Sequence, residues 1–233
     1  MHRLLGLSAL LLVPLTAAPA QAAGADVVFT YDKKVVVQGP GTCVPANIRA
    51  AATAPSGSTF RAKLYDSRGR GGWISSKLSA GEDAYELGTG CFTEEDTGKW
   101  RLQVIVTGRG GRTIADESFF WWQKHDTKFT GFNAGPEPVR KGRKLTVSSR
   151  LVRWSDRPER YIPYSARKVR LYFRAQGTSK WTYKATVTTG RDGRFTRAFT
   201  ADRDGSWQAR FDGTSRFDAQ TSGSDHVDVR PAS

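Results

Sequence analysis

Cysteine, histidine and methionine are nearly absent from this chain of 233 residues, which holds two Cys, three His and one Met. Two cysteines exclude a densely bridged scaffold and leave one possible disulfide, Cys43 with Cys91. His125 and His226 stand about a hundred positions apart, His2 lies in the N-terminal segment, and no Gly-x-Ser-x-Gly elbow is present. A hydrolytic triad therefore lacks its parts, and a catalytic thiol has no nearby histidine to activate it. The only long apolar run, Leu4–Leu15, is shorter than the roughly 20 residues of a spanning helix, so no transmembrane segment is expected in the mature chain. No stretch sustains a helical period, which excludes a helical bundle.

What the N-terminus does contain is Arg3, the apolar run, and the small-x-small tripeptide Ala20-Gln21-Ala22. Residues 1–23 read as a secretory signal peptide. Export makes a disulfide the default state of the cysteine pair. Its closed loop is worth about 4 kcal/mol on the chain-entropy model, less native strain. The expected location is extracellular or associated with the cell envelope.

The chain also repeats itself. Arg61-Ala62-Lys63-Leu64-Tyr65 returns as Lys168-Val169-Arg170-Leu171-Tyr172, and Gly98-Lys99-Trp100-Arg101 returns as Gly205-Ser206-Trp207-Gln208. Both matches share one offset, so two copies of a unit of about 100 residues are expected. The boundary falls at the polar stretch Gln123-Lys124-His125-Asp126, giving units at 24–124 and 125–233. So short a connection restricts motion between them.

Each half reads as seven short strands separated by Gly, Asp, Pro and Ser turns, a pattern of all-β sandwiches. The expected strands are Val27–Tyr31, Val44–Ala52, Thr59–Asp66, Trp73–Lys77, Ala84–Leu87, Lys99–Thr107 and Thr113–Trp122, then Lys128–Phe132, Leu145–Trp154, Lys168–Ala175, Trp181–Thr188, Arg194–Ala201, Ser206–Asp212 and His226–Arg230. Period-2 alternation sends Val169, Leu171, Phe173, Trp207, Ala209 and Phe211 inward and leaves Lys168, Arg170, Tyr172, Arg174, Gln208 and Arg210 outward. In the first copy Ala62, Leu64, Trp100, Leu102, Val104 and Val106 go in, while Arg61, Lys63, Tyr65, Arg101 and Gln103 go out.

Val169 to Arg174, Gly177, Trp181, Thr188 to Phe195 and Asp204-Gly205-Ser206-Trp207 together resemble a bacterial immunoglobulin-like module of exported proteins. The resemblance covers most of 127–231 and reaches the first half through the repeat. Asp96-Thr97-Gly98-Lys99-Trp100 is also similar to the Asp-x-Gly-x-aromatic corner of immunoglobulin strands, with Trp in the usual place of Tyr. Cys91 precedes that corner instead of following it, so the bridge is expected to tie loops or strand ends. The resemblance implies tandem β-sandwiches used for binding, spacing or display and defines no reaction, although two carboxylates from distant positions could still meet in space for hydrolysis.

Charge is distributed unevenly. Residues 24–124 carry 13 Lys/Arg against 11 Asp/Glu, a net of +2, whereas 125–233 carry 22 against 11, a net of +11. An excess of this size points to a polyanionic partner or surface. Two sets of residues are candidates for it. One is the outward row Lys168, Arg170, Tyr172 and Arg174, joined by Lys184 and Arg210 on neighbouring strands. The other is the basic run Arg140, Lys141, Arg143 and Lys144. Guanidinium forks pair with carboxylate or phosphate while a tyrosine ring packs on sugar. An anionic cell-wall polymer or acidic polysaccharide fits an exported protein better than nucleic acid, for which no motif is present. The competing reading is a structural or protein-interaction module whose lysines and arginines cover a solvated sheet face and serve solubility. Asp202-Arg203-Asp204-Gly205 superficially resembles the start of a calcium loop, but the remaining ligand positions do not follow and a hairpin turn is expected instead. Glu94-Glu95-Asp96 reads as a solvated loop.

Overall fold

The computed structural model describes residues 28–31, 35–40, 47–78, 85–88 and 94–232. The signal segment and both cysteines, with the expected Cys43–Cys91 bridge, lie outside the described residues. In the first half the strands are β1 (Val28–Tyr31), β2 (Val35–Gln38), β3 (Asn47–Thr53), β4 (Thr59–Tyr65), β5 (Gly71–Leu78), β6 (Tyr85–Gly88), β7 (Gly98–Thr107) and β8 (Thr113–His125). They form one sheet in the order β1-β3-β6 and another in the order β2-β8-β7-β4-β5, antiparallel except where β2 runs parallel to β8.

The second half contains β9 (Thr127–Gly135), β10 (Val139–Arg140), β11 (Lys144–Ser155), β12 (Arg160–Pro163), β13 (Lys168–Ala175), β14 (Thr182–Thr188), β15 (Arg194–Thr200), β16 (Gly205–Phe211), β17 (Gln220–Thr221), β18 (Asp225–Val227) and β19 (Val229–Arg230). Strand β11 is central to the smaller sheet. It pairs with β9 along one side, and with β15 and then β12 along the other. The larger sheet runs β14-β13-β16, with β17 and β18 sharing the far edge of β16. Strand β10 pairs in parallel with β19.

Among the described residues, strands up to β8 form sheets only with one another, and so do strands from β9 onward, while His125 at the end of β8 bridges to Phe217. The two halves follow one plan. The triplet β1-β3-β6 corresponds to β9-β11-β15, the row β5-β4-β7 corresponds to β14-β13-β16, and the parallel edge pair β2/β8 recurs as β10/β19. Three strands facing five in the first half, and four facing five in the second, with these connections, are the immunoglobulin-like sandwich.

Alternation builds the cores as expected. Val169, Leu171, Trp207, Ala209 and Phe211 from the larger sheet meet Leu145, Val147, Leu151 and Phe195 from the smaller one, all buried. Phe60, Ala62, Leu102, Val104, Val106, Phe119 and Trp121 are buried in the first half. Each fully buried large side chain of this kind contributes about 1.5–3 kcal/mol.

The repeated glycines have a packing reason. A Cβ on Gly98 would sit 2.7 Å from the Ser67 side chain, and one on Gly205 would sit 2.4 Å from the Arg174 carbonyl and 2.5 Å from the Phe173 ring. The start of β7 presses against the turn that follows β4, and the start of β16 against the end of β13, so hydrogen fits where a methyl group would clash.

Four short strands were not expected: β2, β10, β12 and β17. Each has two to four residues at a sheet margin, too short for alternation to register. The expected strand His226–Arg230 is divided at Asp228, because β18 pairs with β16 while β19 turns to β10. Trp181 precedes β14 instead of opening it.

The halves meet through backbone bonds on either side of His125. Its N–H donates to the Arg216 carbonyl at 2.9 Å, and its carbonyl accepts from Asp218 N–H at 2.9 Å. The Arg216 Nε–H donates to Thr97 Oγ1 at 2.8 Å.

Candidate binding face

The outer face of β13, β14 and β16 gathers the outward row. Arg170 lies opposite Arg210 on one side and Thr186 on the other, while Tyr172 lies between Gln208 and Tyr183. Facing arginines repel unless they are held apart. Arg170 is drawn into an ion pair with Asp212, whose hydrogen bond holds the guanidinium above its usual pKa. Arg210 turns the other way. It lies 4.4 Å from the Tyr172 ring centroid and 6.0 Å from that of Trp181, and its Nε–H donates to Gln208 Oε1 at 3.2 Å. Arg174 lies 4.8 Å from the Trp181 ring.

Tyr172 and Tyr183 meet edge to face at 5.9 Å, and Tyr183 is 53% exposed. Three rings and two stacked guanidiniums thus form one platform. A guanidinium held over a ring can still donate N–H groups to an anion, and Arg210 keeps those that Gln208 does not take. Among the described residues neither has an ion-pair partner, in contrast to Arg170.

The other expected residues are placed as follows. Lys168 is exposed at the start of β13, on the same face as Arg170. Lys184 does not join the row. A bulge between Leu171 and Tyr172 makes Tyr183 and Ala185 the residues that oppose them, which leaves Lys184 as the extra residue. Its ammonium lies 5.4 Å from the inward ring of Phe173, at the gap between β14 and β15.

The run Arg140, Lys141, Arg143 and Lys144 lies elsewhere, at one end of the smaller sheet. Ala201 N–H donates to the Arg143 carbonyl and Gly142 N–H to the Ala201 carbonyl, both at 2.8 Å, and Lys144 opposes Thr200. Two basic clusters therefore occupy different sheets. The acidic stretches are structural. Asp204 Oδ1 accepts Val229 N–H at 2.6 Å, Asp202 pairs with Arg203 at 2.9 Å, and Glu94–Asp96 is a 3-10 turn whose Glu95 pairs with Arg68 at 2.9 Å.

Reasoning from net charge passed over the first half, where the equivalent face carries a related platform. Tyr65 has Arg101 3.7 Å and Lys63 5.0 Å from its ring, and its hydroxyl donates to Gln103 Oε1 at 3.0 Å. Lys99 lies 3.9 Å from the Phe120 ring. Arginine and glutamine exchange places between copies: Arg101 faces Tyr65 and Gln103 follows, whereas Gln208 faces Tyr172 and Arg210 follows. The repeated outward Lys63/Tyr65 and Arg170/Tyr172 pairs were the available signal. Asp116, bonded by Gln103 Nε2 at 2.8 Å, brings an acid to the first-half face. Trp181 was also missed as a site residue, since its place before β14 gives it no alternation to follow.

The tryptophan corner forms. Trp100 Nε1–H donates to the Asp96 carbonyl at 2.7 Å, doing with an indole what the tyrosine hydroxyl does in that motif.

The chain matches no protein-family model and no curated protein sequence. Solved structures similar to it include a tetra-tandem repeat from the extending region of a large adhesion protein, at 13% identity and a TM-score of 0.30, covering 86% of this chain and 50% of that one. Fibronectin(III)-like modules of Clostridium thermocellum CbhA match at 15% identity and a TM-score of 0.38, covering 88% and 95%. The D0-D1 domain of intimin matches at 14% and 0.31, covering 86% and 98%. The chain thus spans half the length of the adhesion-protein fragment. At these scores the matches add no weight to the fold assignment, which rests on the chain's own strand pairing.

Proposed function

We propose that this is an exported, non-enzymatic binding protein of two tandem immunoglobulin-like units joined near residues 124–125, and that the second unit holds an anionic sugar polymer of the cell envelope. The observation that carries this reading is the pair of arginines, Arg174 and Arg210, stacked on Trp181 and Tyr172 and lacking ion-pair partners among the described residues. Rings supply flat surfaces for sugar, and guanidinium forks supply carboxylate or phosphate recognition. The net charge of +11 in residues 125–233 adds long-range attraction. Residues 1–23 as an export signal and a Cys43–Cys91 bridge in the first unit belong to the same reading.

A second reading, a protein partner on the same face, draws on the exposure of Tyr183. Sedimentation with isolated cell envelopes across a salt series separates the two. Retention that weakens steadily with ionic strength supports the polymer, because exposed charges are screened beyond about 10 Å at 0.1 M salt. Salt-independent retention favours the protein partner, and no retention refutes both.

A further inference from the structure

The sandwich of the second half is open on one side. Edge strand β14 of the larger sheet comes alongside edge strand β15 of the smaller one, and a cavity of about 440 Å³ lies between them. That is within the roughly 300–1,000 Å³ range of small-ligand pockets. Its floor is Leu145, Phe173, Phe199 and Trp207, with Trp207 4.4 Å from Phe199 and 5.1 Å from Phe173 between ring centroids.

Trp207 is 4% exposed and its indole N–H has no acceptor in the protein. The repeat makes this specific. Trp100, at the same register in the first copy, spends its indole N–H on the Asp96 carbonyl, which the preceding 3-10 turn brings within reach. The second copy has no such turn, so the Trp207 N–H stays unpaired and shielded while other atoms of the residue line the cavity.

The mouth is basic. Asp202 is engaged by Arg203 at 2.9 Å and lies 4.0 Å from Lys141. Lys180 and Lys184 also line the mouth and have no ion-pair partner among the described residues. An apolar aromatic floor and two ammonium groups without ion-pair partners among the described residues define the ligand by chemistry.

We propose that this cavity binds a small aromatic carboxylate, its ring on Phe173, Phe199 and Trp207 and its anionic group at Lys180 and Lys184. The site is separate from the outer-face platform and does not depend on it.

The test uses the whole mature chain labelled with 15N and titrated with 1-naphthoate and with the neutral 1-naphthamide. The Trp207 indole resonance is assigned with Trp207→Phe. The expected result is a saturable shift of that resonance by naphthoate, with binding of the amide about three- to tenfold weaker, as two exposed charge contacts allow. Lys180→Gln with Lys184→Gln abolishes the preference for the acid. Thr182→Trp and Thr200→Trp, at exposed positions on the two facing strands, fill the mouth and abolish the shift while leaving the remaining backbone spectrum in place. Arg174→Gln with Arg210→Gln leaves naphthoate binding unchanged, which separates this site from the polymer face. The proposal is overturned by no shift up to the solubility of the probe, by equal binding of acid and amide, by a shift that survives both blocking variants, or by one that appears at Trp181 instead.

Discussion

The most demanding prediction concerns which arginines on the outer face are free to act. Arg174→Gln with Arg210→Gln removes two stacked guanidiniums that have no ion-pair partner among the described residues. An exposed contact between an arginine and a carboxylate contributes about 0.5–1 kcal/mol. The double variant should therefore bind a polygalacturonate oligomer about five- to thirtyfold more weakly at low salt.

Arg170 behaves differently because Asp212 already holds it. Arg170→Gln with Asp212→Asn removes the pair without changing net charge, and affinity should move by less than about twofold. Asp212→Asn alone frees the Arg170 fork and removes a repelling carboxylate, so affinity should rise by about two- to fivefold. Calorimetry at 25 and 150 mM NaCl measures all three, and the differences should shrink at the higher salt. Folding is not at issue: these are partly exposed positions, and the lost ring contacts cost about 0.5–1 kcal/mol each. Affinity equal to wild type in the Arg174/Arg210 variant, or an equal loss in the charge-neutral pair, refutes the reasoning.

Three further outcomes follow from the geometry. Trp100→Phe should lower urea stability by about 2–3 kcal/mol through a lost hydrogen bond and reduced packing, whereas Trp207→Phe, which removes an unpaired N–H, should cost at least 1 kcal/mol less; equal costs would show that the corner bond contributes nothing. Gly205→Ala should destabilise by about 1–3 kcal/mol, since its methyl group meets the Arg174 carbonyl and the Phe173 ring, and an unchanged thermal midpoint would contradict the close approach. Burial, and then a hydrogen bond to Asp126, raise the Tyr161 phenol above its ordinary 10.0; its contribution is full below that value and is lost as pH rises through the folded value, so Tyr161→Phe should make the alkaline loss of stability less steep in a denaturation series above pH 10.

Much of the architecture was legible because a half-buried sheet imposes a period of two on its residues. Val169, Leu171 and Trp207 were placed inward by alternation alone, and the common offset of the two repeats anticipated matching strands in both halves. Lys184 shows where that method stops. One extra residue at a bulge reverses the alternation, and no composition signal marks the bulge beforehand. The separation of Arg140–Lys144 from the arginine–tyrosine row was equally hidden, since both are basic stretches and only strand pairing assigns them to different sheets. Net charge pointed to the second half and away from the platform around Tyr65, because a sum over residues cannot register which of them share a face.

By itself, the sequence determined the all-β class, the internal repeat and the identity of the inward residues, all of which follow from local periodicity. Tertiary structure alone decided which cations are committed and which are free. Asp212 takes Arg170 from forty-two positions away, and Trp207 lines a cavity while its repeat partner Trp100 is capped. Such pairings depend on strand register and turn geometry, which bring together residues that no pattern in the linear chain connects.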